Sequence, residues 1–117
     1  AEADRASFAA EAQRREDRRT AERALGNWRS ALRSLETIER QTIPAAERLV
    51  TLTERGYRLG ALPYRDLADA RTSLFSARRA RLDALEQVAS AKADLAEVTG
   101  AFGDLGLTIL QTEKEAG

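Results

Sequence analysis

Two aspartates three residues apart, Asp66 and Asp69, with Tyr57 close upstream, are the residues whose types and spacing could do chemistry. Paired carboxylates serve general acid–base work when one is held protonated beside a nucleophile or bound substrate. No such companion is visible. The chain has no Cys, His or Met, which removes thiolate and imidazole chemistry, soft-metal sites and any Ser-His or Cys-His pair. The same acids follow Pro63 in the first turns of a predicted helix, where each offsets the helix dipole by about 0.3–1 kcal/mol. Carboxylate pairs alone never exclude hydrolysis, but the expectation is no enzyme, no catalytic residue, no metal and no cofactor.

The elements that hold these residues are two long alanine-rich helical stretches meeting at Gly56-Tyr57-Arg58-Leu59-Gly60-Ala61-Leu62-Pro63-Tyr64. Gly56 and Gly60 can take positive φ cheaply, and Pro63 suits a helix's first turn. The fold class expected is all-α: a long antiparallel two-helix coiled-coil hairpin, alanine-rich, without a β-barrel. A descending helix occupies 1–56, a tip turn 57–63, a returning helix 64–99, and an irregular or disordered tail 100–117.

On the descending helix Leu25, Trp28, Leu32, Leu35, Thr42, Leu49 and Leu52 keep one stripe, with Ile38 and Ala45 or Ala46 between. Glu11/Arg15, Glu36/Arg40 and Glu54/Arg58 stand four apart with the acid first, the favourable order on a helix surface. Pro44 costs about 3 kcal/mol inside a helix, and a kinked but continuous helix is expected because the stripe resumes in phase at Ala45 and Leu49. The returning helix, closed by Gly100, offers a seam of Leu67, Ala70, Leu74, Ala77, Arg81, Ala84, Val88, Ala91, Leu95 and Val98. Its repeated alanines let two backbones approach closely. Arg81 should snorkel or reach a carboxylate.

At ~1.5 Å per residue the first helix would be ~80 Å long and the second ~54 Å. Roughly the first twenty residues therefore outrun their partner on that rise. Phe75, Leu82 and Leu85 leave apolar surface off the seam for another copy or helix pair to cover. A hairpin of 117 residues encloses no large core.

Net charge is zero and arginines alternate with acids, as in Arg14-Arg15-Glu16-Asp17-Arg18-Arg19. No nucleic-acid partner is expected from that pattern. No apolar run approaches the ~20 residues a spanning helix needs. The chain opens without a leader or initiator Met and is expected to be a mature protein or an excised piece.

The tip sequence Gly56-Tyr57-Arg58-Leu59-Gly60, then Leu67-Ala68-Asp69-Ala70-Arg71 and Leu74, resembles the C-terminal half of TolC-type outer membrane efflux proteins. Ile43-Pro44-Ala45-Ala46 is similar to the I-L-P-x-A stretch on that family's descending helix, and Thr99-Gly100 to the T-G that ends its return helix. The resemblance covers about Leu25 to Gly100 and leans toward metal-efflux (CzcC-like) or drug-efflux members.

The resemblance implies a trimer whose protomers each contribute membrane β-strands and two helical hairpins to a periplasmic tunnel, this chain being the second hairpin. It implies a location in the periplasmic portion of a Gram-negative outer membrane protein, touching the membrane only through barrel segments that these residues lack. It makes Asp66 and Asp69 the carboxylate ring of a closed entrance, repelling anions and attracting cations. Tyr57 becomes a link between neighbouring hairpins in the closed state. The family's arginine partner falls at Leu62, which cannot make that link, so Arg58 or Arg65 would have to serve. Leu59, Gly60 and Ala61 match the small-residue tip that docks a periplasmic adaptor, itself bridging to an inner-membrane pump. For this stretch alone, dimerisation into a four-helix bundle or weak self-association is expected.

Two other readings stay open. An adaptor hairpin carries R-x3-L-x6-S at its tip; Arg55 and Leu59 fit, but Asp66 stands at the serine. A stand-alone structural coiled coil would need none of these roles.

Overall fold

A computed structural model describes residues 2–102, so the expected tail lies outside the described residues from 103 onward. Every described element is helical: α1 over Glu2–Thr37, a wide π-turn over Ile38–Thr42, α2 over Ile43–Arg58 and α3 over Tyr64–Phe102. No strand occurs among the described residues, and the fold is the all-α helical hairpin expected. Helix α3 runs on through Gly100, which is not its end. The described residues divide into two compact units, one joining those up to Ser30 with those from Ala89 to Phe102, the other Ala31–Val88.

In the first unit burial begins only part-way along α1. From Glu2 to Glu16 every residue is exposed, Phe8 included, and Asp17 is the first to be half-buried. The burial that follows falls mostly on small residues. Ala21 and Ala24 are buried on α1, Leu95 and Thr99 on α3. Thr99 satisfies its hydroxyl within its own helix, donating to the Ala96 carbonyl at 3.1 Å, as helical threonines do when no other acceptor is near. The Trp28 indole N–H is enclosed without an acceptor among the described residues.

The second unit shows why α3 was legible and α2 was not. All seven seam positions expected on α3 within this unit, from Leu67 to Val88, are buried or half-buried, as are Ala91, Leu95 and Val98 in the first unit. Leu67, 2% exposed, contributes about 1.5–3 kcal/mol by leaving water, and Ala70, Ala77 and Ala84 are buried beside it. On the opposing strand of the hairpin the seam reads Ala31, Leu35 and Ile38, then Ile43, Ala46, Val50 and Thr53. The expected Thr42, Leu49 and Leu52 are exposed, Leu52 by 63%; of the alternatives Ala45 and Ala46 it is Ala46 that is half-buried, and upstream of the turn Leu32 is exposed while Ala31 takes the seam.

One inserted residue accounts for the shift. The Ile43 N–H donates to the Ile38 carbonyl, five residues back, so the turn holds one residue more than an α-turn and advances the stripe by one position. The cause is Pro44, one residue beyond. In an unbroken helix its ring would collide with the Arg40 carbonyl, and it has no N–H to give. The wide turn relieves both problems without leaving helical backbone, and Thr37, Thr42 and Ile43 all keep right-handed helical φ and ψ. Helical backbone runs on through Pro44, and the stripe beyond it is one residue out of the expected phase.

Arg81, the one long polar residue of the α3 seam, reaches across to the π-turn. Its Nε lies 3.7 Å from Oε2 of Glu39. The surface pairs Glu36–Arg40 and Glu54–Arg58 form at 3.1 and 2.6 Å, whereas Glu11 and Arg15 do not pair.

Candidate functional site

The tip is built from the way α2 stops. Leu59 caps the helix with its N–H on the Arg55 carbonyl at 3.0 Å. Gly60 follows with φ +74°, the only positive φ among the described residues, a conformation that costs a side-chain-bearing residue roughly 1–2 kcal/mol. The Gly60 N–H donates to Tyr57 O at 3.0 Å and the Ala61 N–H to Gly56 O at 2.8 Å. These are the two bonds of a Schellman stop, and the Leu62 N–H adds a third, to Gly56 O at 3.1 Å.

Gly56 serves the turn in a way the sequence did not indicate. It sits inside α2 with ordinary helical backbone, so positive φ is not its reason. Leu62 folds over it instead: a Cβ built on Gly56 would meet Leu62 Cδ1 at 2.5 Å and Cγ at 2.8 Å. At the position where the resemblance implies an arginine, this chain thus has the residue that closes the turn from within.

Pro63 stands just before α3, which begins at Tyr64, and accepts the first bond of that helix from the Asp66 N–H at 3.1 Å. Asp66 is half-buried and Asp69 exposed. Three residues apart on a helix, they share one side of α3. Among the described residues neither forms an ion pair, and no group of three acidic side chains is placed to hold a metal.

Tyr57 finds a partner that sequence reasoning missed. Its ring meets Tyr64 edge-on, centroids 5.5 Å apart at 67°, a geometry aromatic pairs favour. Arg58 is not its companion; that guanidinium is held by Glu54 at 2.6 Å. Arg65 forms no ion pair among the described residues. The signal for Tyr64 was there in principle: two tyrosines bracket the five-residue turn 59–63, one residue inside α2 and at the start of α3, and the ends of such a turn must meet. Periodicity stops at the turn, so it could not assign the contact.

Beyond the ring pair the tip presents apolar surface outward. Leu59 is 76% exposed, with Gly60 and Ala61 exposed next to it. The site brings together two tyrosine rings, a small-residue loop with one projecting leucine, and two carboxylates a turn below. Such a surface can bind and position another protein or attract cations; it holds no nucleophile beside a base.

None of the described helices is long and apolar enough to cross a membrane. A family model described as outer membrane efflux protein matches residues 1–101. No curated protein and no solved structure matches the chain.

Proposed function

Because the chain belongs to the outer membrane efflux protein family, a family of transport conduits, we propose that these residues form a periplasmic hairpin of a trimeric export duct. The observation that carries this reading is the family match running over residues 1–101 of a stretch that is helical hairpin from Glu2 to Phe102. A passive conduit needs shaped walls and a controlled end, and it needs no covalent chemistry.

In this reading Leu59, Gly60 and Ala61 dock a periplasmic adaptor, which couples the duct to an inner-membrane pump. Three copies bring Asp66 and Asp69 around one axis as a cation-selective entrance. Tyr57 and Tyr64, paired at 5.5 Å, brace the turn that sets the position of those acids. Exposed Phe75 and Leu82, 67% and 59% accessible, give the apolar flanks against which neighbouring helices of the duct would pack.

The test is single-channel recording on the intact protein carrying Asp66→Asn and Asp69→Asn together. Loss of cation preference with raised conductance is the expected result. Unchanged selectivity and conductance would remove the gate assignment. A Leu59→Asp variant that still opens but no longer co-purifies with an adaptor would support the docking role, and undiminished co-purification would refute it.

A further inference from the structure

The end of the π-turn and helix α2 together carry two apolar stripes side by side. One is in use: Ile43, Ala46, Val50 and Thr53 face α3. The other, Thr42, Ala45, Leu49 and Leu52, lies one residue earlier at every position and is exposed, Leu49 by 45% and Leu52 by 63%. Both have the three-four spacing of a coiled-coil seam, and the unused one is the more apolar at its tip end, with Leu49 and Leu52 in place of Val50 and Thr53.

What selects between them is the π-turn. With its extra residue, α1 and α2 place Ile38 and Ile43 on one line; with ordinary α-turns, Ile38 would lead to Thr42 instead. Three features hold the wide turn. Pro44 resists the α-helical alternative by its ring and its missing N–H. The Ile43 N–H is satisfied on Ile38 O. Glu39, within the turn, is held by Arg81 of α3 at 3.7 Å.

We propose that α2 is a two-register element and that the π-turn Ile38–Thr42 is its switch. Collapse of that turn to α-helical bonding rotates α2 by about 100°, one residue's worth of helix, and exchanges the first stripe for the second against Leu67, Ala70 and Leu74. The threonine of either stripe is tolerated, because helical threonines bond their own backbone; Thr53 already donates to Leu49 O at 2.8 Å. The rotation carries Tyr57 and Arg58 around the α2 axis and so turns the face the tip presents. This inference stands on the packing of α2 alone and does not depend on the duct reading.

The absence of cysteine from the sequence makes a clean test possible in the full chain. The Arg81–Glu39 pair lies across the antiparallel helices, and counting eleven residues from each partner brings Val50 to about the level of Ala70, with Leu49 one residue away. Disulfide formation is followed for the pairs Val50→Cys with Ala70→Cys and Leu49→Cys with Ala70→Cys, each in the native background and with Pro44→Ala. In the native background the Val50 pair should close faster. Removing the proline shifts the balance by up to about a hundredfold toward the second register, so the Leu49 pair should overtake it. Deleting Gln41 together with Pro44→Ala takes out the extra residue, keeps the first stripe in phase without a π-turn, and should restore the Val50 preference. An unchanged Val50 preference in Pro44→Ala overturns the proposal, and so does a Pro44→Ala chain that has lost its helicity or cross-links at neither pair.

Discussion

Leu62 lies where a side chain on Gly56 would have to go, its Cδ1 only 2.5 Å from the position of a built Cβ. Two effects oppose each other when Gly56 becomes alanine. Alanine is the better helix former by about 1 kcal/mol, while forcing extra volume into a filled site costs about 1–3 kcal/mol. Leu62 can swing outward, but it then exposes its side chain and loosens the turn. Gly56→Ala is expected to lower stability by up to about 2 kcal/mol, the overpacking cost less the propensity gain. Gly56→Ala with Leu62→Ala should recover part of that loss. Thermal unfolding of the two single variants and the double variant measures the coupling, and additive effects would contradict the packing account.

Gly60 is needed for a different reason, since nothing lies within 4 Å of a Cβ placed on it but its φ is +74°. Space is free and backbone strain decides. Gly60→Ala should cost about 1–2 kcal/mol and Gly60→Asn distinctly less, because asparagine tolerates the left-handed region. Denaturation midpoints of the two variants would settle the order, and equal losses would point away from φ.

The contrast between these glycines shows what a sequence can and cannot reveal. Both were expected to take positive φ and only Gly60 does, whereas the seam of α3 was legible position by position because nothing interrupts its period. The α2 seam was not, although its residues are as apolar. Pro44 announced a disturbance without saying whether it would kink, break or widen the helix, and those outcomes set different phases. A period cannot be extended across an insertion whose length is fixed by backbone sterics. At the tip the glycines and Pro63 marked the reversal, but the contacts that shape it, Leu62 on Gly56 and Tyr57 on Tyr64, join residues outside any repeat. Asp66 and Asp69 were visible as a pair from the start, and their role awaits the conductance measurement.

Arg81 tests how much an ion pair contributes in the seam. Arg81 and Glu39 side chains are each 42% exposed, so solvent screens the attraction and the pair is worth less than about 1 kcal/mol. Arg81→Leu replaces it with the residue type the seam otherwise prefers. Its expected effect on equilibrium unfolding is within about 1 kcal/mol of zero, with weaker salt dependence than the parent chain. A loss of several kcal/mol would mean that the pair holds the π-turn far more firmly than its exposure allows.

The buried alanines set the distance between the helices, and Ala77 shows it most directly. It is 6% exposed between Leu74 and Arg81 on the α3 seam, where a larger side chain has nowhere to go without parting the backbones. Ala77→Leu should destabilise by about 1–3 kcal/mol through overpacking. Leu67→Ala, at a site only 2% exposed, should cost about 2–5 kcal/mol through the lost transfer energy and the cavity left behind. Phe75→Ala supplies the contrast: Phe75 is 67% exposed, so its removal should change the unfolding free energy by less than about 0.5 kcal/mol. Far-UV circular dichroism during chemical denaturation ranks all three. If Phe75→Ala matched Leu67→Ala, another surface would already be covering that face in solution.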